Sequence, residues 1–180
     1  QLLNQATTLL QKNVERPRLE AEILLSHILD VERTWLHIHF NDNVNPKNYF
    51  ELITRRCQNE PLEYITGYVN FYSETFFAQE GVLIARPETE LLIDHASTII
   101  KNNSNIKTIA EIGMGSGIIS IMLAKMFPDH KFIATDINTT AIELTKKNMA
   151  LHQVEDRITL YHTSLLDNID EPINMIVSNP

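Results

Sequence analysis

The sequence predicts an α/β protein: a parallel sheet covered by helices on both faces, preceded by a small helical bundle and a β-hairpin. Three observations support this class. From residue 87 onward, short apolar segments alternate with helical patterns, as buried parallel strands and their crossover helices do. Residues 1–60 instead carry apolar side chains at helical spacing. A glycine-rich loop at residues 113–117 follows the first apolar segment of the alternating region.

Residues 1–63 are predicted to form an all-helical domain. The first helix has an apolar stripe at positions 2, 3, 6, 9 and 10. A second helix begins at Pro17, where the missing N–H of proline costs nothing, and a third is expected from Pro46 to Asn59. Residues 64–86 are rich in aromatic and β-branched side chains, which predicts a hairpin that links two domains.

Residues 87–180 are predicted to contain four strands separated by helices. Helices are expected at residues 88–100, 116–126 and 140–151, and strands at residues 108–112, 131–136, 158–162 and 173–178. Apolar strands that alternate with helices in this way form a parallel sheet, so this region is predicted to be the ligand-binding domain.

Cysteine and histidine usage gives little support for a metal site. Cys57 is the only cysteine, so an intrachain disulfide or a thiolate cluster cannot form. His37 and His39 could present two ligands from a strand, but no nearby residue completes a ligand set. We therefore expect no bound metal.

Charge and hydropathy restrict the possible partners. The net charge is -8, and both halves of the sequence are acidic. Proteins that hold nucleic acid unaided usually present a basic stripe, so DNA or RNA is not expected as the main partner. No apolar run approaches the roughly 18 residues of a membrane-spanning helix. The first residues also lack the pattern of a signal peptide, and we expect a cytoplasmic protein without a membrane anchor.

The strongest local signal is the segment Glu111-Ile112-Gly113-Met114-Gly115-Ser116-Gly117. Alternate glycines let the backbone turn tightly and approach a ligand, and the helix that follows offers free N–H groups. A dinucleotide fingerprint needs a third glycine where this chain has Ile118, so the spacing favours S-adenosylmethionine over NAD. Asp136, at the end of the second strand, could bind the ribose of either cofactor.

Asn179 and Pro180 follow the fourth strand of the predicted sheet. In a doubly wound sheet, ligands lie beyond the carboxyl ends of the strands, near the point where the strand order reverses. We therefore expect Asn179 to stand beside the glycine loop. Asn-Pro alone is an ordinary turn signal, but its combination with the glycine loop and Asp136 is far more specific.

These motifs together resemble those of the N5-glutamine methyltransferases of peptide chain release factors, the PrmC/HemK family. The resemblance covers essentially the whole chain. Its most distinctive segment is Gly81-Val82-Leu83-Ile84-Ala85-Arg86-Pro87-Glu88-Thr89-Glu90. It also rests on residues 17–25, 55–56, 60–67, 111–117, 136 and 179–180.

The resemblance implies a class I S-adenosylmethionine-dependent methyltransferase domain with a Rossmann-like sheet, preceded by a helical domain that docks the release factor. The reaction would transfer a methyl group to the side-chain amide nitrogen of glutamine in the factor's Gly-Gly-Gln loop. The family motif is Asn-Pro-Pro-Tyr, and this chain contains its first two residues. We therefore expect the sheet to be incomplete at its C-terminal end and these 180 residues alone to be potentially inactive. A monomer is expected.

The resemblance also assigns site residues. Asn179 and Pro180 would be catalytic and would bind the substrate amide. Arg86 would line the substrate side of the site, but a surface ion pair between Arg86 and Glu88 is an equally good interpretation. Ala85 stands where the family usually has proline, and Ser164 stands where an acid often meets the adenine amino group. The expected cofactor contacts are Glu111, Gly113, Met114, Gly115, Ser116, Gly117, Asp136, Ser164, Leu165 and Asn179.

Three other functions remain possible at this point. A nucleic-acid adenine-N6 or guanine-N2 methyltransferase would use the same Asn-Pro-Pro-aromatic motif, but it predicts a basic cleft or an added recognition domain. A non-catalytic scaffold would not need an intact glycine loop together with Asp136 and Asn179. An NAD-dependent oxidoreductase is disfavoured by Ile118 and by the Asn-Pro ending.

Overall fold

The computed structural model describes residues 1–39, 42 and 44–180. The chain divides into two compact units, residues 1–67 and residues 68–180. Among the described residues, no helix combines the length and the apolar content needed to cross a bilayer. The predicted functional division into residues 1–63, 64–86 and 87–180 stays a prediction.

The first unit is entirely helical in its described part. Its helices are α1 (Leu2–Leu10), α2 (Pro17–Leu29), α3 (Arg33–Ile38), α4 (Tyr49–Cys57) and α5 (Leu62–Thr66). The apolar stripes predicted from the sequence face a shared core, whose buried members are Ala6, Leu10, Ala21, Leu24, Leu25, Leu36, Tyr49, Ile53 and Ile65. Burial of these side chains is the main stabilising contribution to the bundle.

Two predictions in this unit were wrong in detail. The helix expected from Pro46 begins at Tyr49, because Asn48 has a left-handed backbone conformation with φ +67°. His37 lies in α3 and not on a strand, and the ring of His39 stacks on Trp35 with ring centroids 4.0 Å apart. Neither histidine therefore presents a ligand from a strand.

A hairpin opens the second unit. Strands β1 (Tyr68–Phe71) and β2 (Glu74–Phe77) pair antiparallel, and the expected hairpin is present although residues 64–66 belong to α5. Tyr72 and Ser73 form its turn with φ of +52° and +60°, the two positive φ values that a two-residue hairpin turn of this type needs. Three hairpin side chains, Val69, Phe71 and Phe76, are buried in the core of the second unit.

The remaining elements alternate as predicted. They are α6 (Glu88–Asn102), β3 (Thr108–Ile112), α7 (Ile118–Met126), β4 (Lys131–Asp136), α8 (Thr139–His152), β5 (Ile158–His162) and β6 (Met175–Ser178). The strands form a parallel sheet in the order β5-β4-β3-β6. This confirms the predicted α/β class.

The order of the strands indicates where a ligand would bind. From β3 the chain proceeds outward through β4 to β5, and then returns to pair β6 on the other side of β3. The strand order therefore reverses between β3 and β6. In a sheet of this type, ligands bind outside the carboxyl ends of the strands at this reversal. The glycine loop follows β3, and Asn179 follows β6.

Asn174 fixes the register of β6. Its side-chain Oδ1 accepts hydrogen bonds from the backbone N–H groups of Lys107 and Thr108, each at 2.9 Å, and its own N–H donates to the carbonyl of Thr108. Ile112 then pairs with Ser178 at the other end of the two strands. This register brings the end of β6 beside the start of the glycine loop.

Candidate active site

The glycine loop crosses the end of β4 before α7 begins. The backbone N–H groups of Gly113 and Met114 both donate to the carbonyl of Thr135, at 2.9 and 3.0 Å. Gly117, with φ +76°, closes the loop by donating its N–H to the carbonyl of Met114 at 2.7 Å. A Cβ at Gly117 would lie 2.5 Å from Cγ2 of Thr145, so the position excludes any side chain.

Glu111 is a carboxylic acid inside the core, with only 3% of its surface exposed. Its Oε2 accepts hydrogen bonds from the N–H and the hydroxyl of Ser120, at 2.9 and 2.5 Å. Burial raises the pKa of Glu111 to about 7, the Ser120 hydrogen bonds oppose that rise, and the charge of Asp136 adds to it. Within the described part of the chain, Oε1 of Glu111 has no hydrogen-bond partner.

Asp136 links the glycine loop to the start of α8. Its Oδ2 accepts the N–H of Gly115 and its Oδ1 accepts the N–H of Asn138, both at 2.9 Å. Each carboxylate oxygen has a further lone pair that can accept a ligand hydroxyl. The side chain predicted to bind ribose is therefore held by the same loop that would bind the rest of the cofactor.

Two side chains of α8 donate hydrogen bonds to carbonyls of the glycine loop, and the sequence analysis did not predict either of them. The hydroxyl of Thr145 donates to the carbonyl of Gly115 at 3.0 Å. Asn148 is fully buried; its Nδ2 donates to the carbonyl of Ser116 at 2.9 Å and its Oδ1 accepts the N–H of Phe77 at 2.7 Å. Asn148 thus joins the glycine loop, α8 and the hairpin.

Asn179 lies directly after the end of β6. Its Nδ2 donates to the hydroxyl of Thr89, 3.0 Å away in the first turn of α6. Thr89 is buried, with 6% of its surface exposed. Thr89 is part of the distinctive segment of the sequence, but no spacing pattern predicts a hydrogen bond between residues 90 positions apart.

One cleft brings the glycine loop and Asn179 together. Its lining residues are Leu83, Ala85, Thr89, Glu111, Gly113, Met114, Gly115, Ser116, Ile118, Ile119 and Asn179. Five of the residues expected to bind the cofactor therefore share a surface with the residue expected to bind the substrate amide. The sequence predicted this neighbourhood from the order of the strand ends alone.

The other predicted site residues lie outside the lining of this cleft. Ser164 and Leu165 follow β5 and are exposed, at the carboxyl edge of the sheet but two strands away from β3. Arg86 and Pro180 are also exposed. In the described part of the chain, Arg86 forms no ion pair with Glu88 or with another carboxylate. The roles of these four residues stay predictions, as do the roles of the predicted residues that line the cleft.

Two protein-family models match the sequence of this chain. The family model described as the PrmC N-terminal domain matches residues 1–67, and the one described as the methyltransferase small domain matches residues 75–180. The chain belongs to the methyltransferase small domain family. The resemblance to the release factor glutamine methyltransferases is thereby confirmed at the level of the family.

Relatives of this chain are found among curated bacterial proteins. A release factor glutamine methyltransferase of Chlorobaculum tepidum is 34% identical over 94% of this chain and 62% of its own length. One of Dictyoglomus turgidum is 39% identical over 93% of this chain and 61% of its own length. A bifunctional methyltransferase of Rickettsia conorii is 35% identical over 100% of this chain and 40% of its own length. The chain thus spans between 40% and 62% of the lengths of these relatives.

The fold also occurs among solved structures. A SAM-dependent methyltransferase of Agrobacterium tumefaciens superposes with a TM-score of 0.50 at 16% identity, covering 63% of this chain and 39% of that one. The family is thus that of the methyltransferase small domain, and the fold is one that a SAM-dependent methyltransferase also has, in agreement with the cofactor class predicted from the spacing of the glycines.

Proposed function

We propose that this methyltransferase transfers a methyl group from S-adenosylmethionine to the side-chain amide nitrogen of the glutamine in the Gly-Gly-Gln loop of a peptide chain release factor. The observation that supports this most directly is the position of Asn179, which lines the same cleft as the glycine loop. The relatives named release factor glutamine methyltransferase, at 34% and 39% identity over most of the chain, support the choice of substrate.

The cleft fits the amino-acid end of the cofactor. A Cβ built on Gly113 would meet nothing within 4 Å, so there is open space directly above the loop backbone. The N-terminal end of α7 adds partial positive charge that suits a carboxylate. Glu111 lines the same cleft with Oε1 unbonded among the described residues, and a carboxylate there suits an ammonium group. Residues 111–117 would thus hold this end of S-adenosylmethionine.

The nucleoside would lie farther along the same edge of the sheet. Asp136 offers acceptor oxygens for the ribose hydroxyls. Ile137 and Leu165, which are 73% and 64% exposed, could cover the faces of the adenine ring. The two loops are tied together, because the N–H of Thr163 donates to the carbonyl of Asp136 at 3.1 Å. Ser164, which follows Thr163, would face the adenine edge.

The substrate amide is a weak nucleophile, because its nitrogen lone pair is delocalised into the carbonyl. Positioning is therefore the main contribution that the protein can make. Oδ1 of Asn179 and the backbone carbonyl of Pro180 would accept the two N–H bonds of the glutamine amide. Proline suits this role, since it has no N–H that could compete for the acceptor. Both acceptors would also stabilise the positive charge that develops on the nitrogen.

The chemistry then needs few protein groups. When bound, S-adenosylmethionine supplies an electrophilic methyl group on a positively charged sulfur. The amide nitrogen would form the new N–C bond, the electron pair of the broken S–C bond would stay on sulfur, and one N–H proton would leave to water. Asn179 and Pro180 act as hydrogen-bond acceptors, so the mechanism requires no strong general base.

The two units would divide the work between them. Residues 1–67, which match the PrmC N-terminal domain family, would dock the release factor, and exposed Arg86 would contact the substrate near the cleft. We further propose that the protein acts as a cytoplasmic monomer. The proposed reaction involves no membrane contact and no direct contact with nucleic acid.

A methylation assay with three substrates tests the proposal. The full-length protein is incubated with radiolabelled S-adenosylmethionine and a release factor, the same factor with the Gly-Gly-Gln glutamine changed to alanine, or a DNA duplex. We expect label only in the unaltered factor. Equal labelling of the alanine variant would place the methyl group elsewhere, and labelling of DNA alone would support a nucleic-acid methyltransferase instead.

A further inference from the structure

Thr89 is the only described residue whose side chain forms a hydrogen bond with the side chain of Asn179. Its hydroxyl oxygen accepts a hydrogen from Nδ2 at 3.0 Å, and the residue is nearly inaccessible to solvent. The bond itself is partly buried, because Asn179 lies at the surface, and partial burial still strengthens a hydrogen bond relative to one in water.

The hydrogen bond anchors one end of the asparagine amide and leaves the other end free. With Nδ2 bonded to Thr89, Oδ1 remains available, and no described residue donates a hydrogen bond to it. Rotation of the amide by 180° would instead present an NH₂ group to the substrate. A substrate amide nitrogen carries two hydrogens and needs acceptors, so that orientation would set donor against donor.

We infer that Thr89 is a positioning residue that anchors the side chain of Asn179 and so presents Oδ1 as an acceptor to the substrate amide. This inference rests on the proposed function. Thr89 acts through Asn179 and has no direct part in the chemistry. It would govern whether a primary amide is held in the reactive orientation.

The position of Thr89 is itself fixed by the surrounding structure. Its backbone N–H donates to the carbonyl of Arg86 at 2.9 Å, in the turn that opens α6. The next residue, Glu90, accepts the backbone N–H of Tyr72 at 3.1 Å, and the Tyr72 hydroxyl donates to the carbonyl of Glu90 at 3.2 Å. The hairpin turn therefore anchors the first turn of α6, which limits the movement of the Thr89 hydroxyl.

Three substitutions separate the hydroxyl from the rest of the side chain. Thr89→Val keeps the shape and removes the hydroxyl, and Thr89→Ser keeps the hydroxyl. Ser97→Ala removes a buried hydroxyl of α6 that donates to the carbonyl of Asp94. For Thr89→Val we expect kcat to fall about 3- to 10-fold, the effect of losing one neutral hydrogen bond. The KM for the release factor and the Kd for S-adenosylmethionine should stay unchanged.

The two other variants act as controls. The kcat of Thr89→Ser should stay near that of the wild type, and Ser97→Ala should leave kcat unchanged. If Thr89→Ser loses as much activity as Thr89→Val, the methyl group and not the hydroxyl is important, and the inference is overturned. If Thr89→Val instead weakens cofactor binding, Thr89 has a structural role in the cleft, which also overturns the inference.

Nuclear magnetic resonance provides a measurement that does not depend on turnover. The side-chain NH₂ signals of Asn179 should shift in the 180-residue chain carrying Thr89→Val and should remain in place with Thr89→Ser. Unchanged signals in Thr89→Val would contradict the inference. Full activity in Thr89→Val together with an inactive Asn179→Ala would reject the inference alone, whereas full activity in both would reject the proposed function as well.

Discussion

Glu111 illustrates how one residue combines a structural and a functional position. Its carboxyl group is buried, bonded to Ser120, and in contact with the cleft that would hold a charged cofactor. Such burial disfavours the charged form, and the pKa rises from 4.5 to about 7. The uncharged acid is therefore favoured in the folded protein at mildly acidic pH, while an unfolded chain would already have lost the proton.

This difference predicts a pH dependence of stability. Between pH 4.5 and 7 the folded protein binds more protons at Glu111 than the unfolded chain, so this residue lowers the stability as pH rises through that window. Glu111→Gln removes the effect. The free energy of unfolding of Glu111→Gln should therefore gain roughly 3 kcal/mol relative to wild type between pH 4 and pH 8.

Urea denaturation at each pH measures this difference. The control is Glu143→Gln, at an exposed position of α8 that pairs with Lys146. Its stability should follow that of the wild type much more closely across the window. A constant difference between Glu111→Gln and wild type at all pH values would show that the Glu111 carboxyl is not perturbed by burial.

At the scale of elements, the glycine loop depends on the helix behind it. Gly117 approaches Thr145 so closely that a Cβ would overlap its side chain, and Thr145 in turn bonds to the carbonyl of Gly115. Asn148, one turn farther along α8, connects the loop to β2. The shape of the loop is thus set by tertiary contacts as well as by its own glycines.

Asn148→Ala should therefore weaken both stability and cofactor binding. The change leaves the N–H of Phe77 and the carbonyl of Ser116 without their buried partner, which costs about 2 to 4 kcal/mol of unfolding free energy. Urea denaturation and calorimetric titration with S-adenosylmethionine measure the two effects. Lys147→Ala, at the adjacent exposed position, should change neither quantity. Wild-type behaviour of Asn148→Ala would mean that the loop holds its shape alone.

The elements that the sequence predicted well are those whose signals are local. Apolar strands, the glycine loop and Pro17 at the start of α2 each depend on residues close together in the chain. The hairpin turn was harder to place, because Tyr72 and Ser73 are not typical residues for two consecutive positive φ values. Contacts of Tyr72 with Glu90, 18 positions away, stabilise that turn instead.

The same distinction applies to the site. Asn179 and the glycines could be placed from the order of strand ends, since parallel strands align their carboxyl ends at one edge. Thr89 and Asn148 could not, because their bonds join residues 90 and 71 positions apart. Such contacts depend on the packing of a particular helix face, which a single sequence does not specify.

At the scale of the whole molecule, the cleft is assembled from segments distant in sequence. The loop after β3, the end of β6 and the start of α6 all contribute lining residues. The reversal of strand order next to β3 makes this possible, because it separates the helices and opens a crevice at the edge of the sheet. The family, the fold and the site geometry therefore support the same function, methyl transfer.

The most direct test of this function is Asn179→Ala in the full-length protein. Radiolabelled methyl transfer to a release factor should fall by about 100-fold or more, because the substrate amide loses an acceptor that aligns it in the transition state. Calorimetric titration should give an unchanged Kd for S-adenosylmethionine, and Asn105→Ala, at an exposed position, should behave as wild type. Undiminished transfer by Asn179→Ala would contradict the proposed role of the cleft.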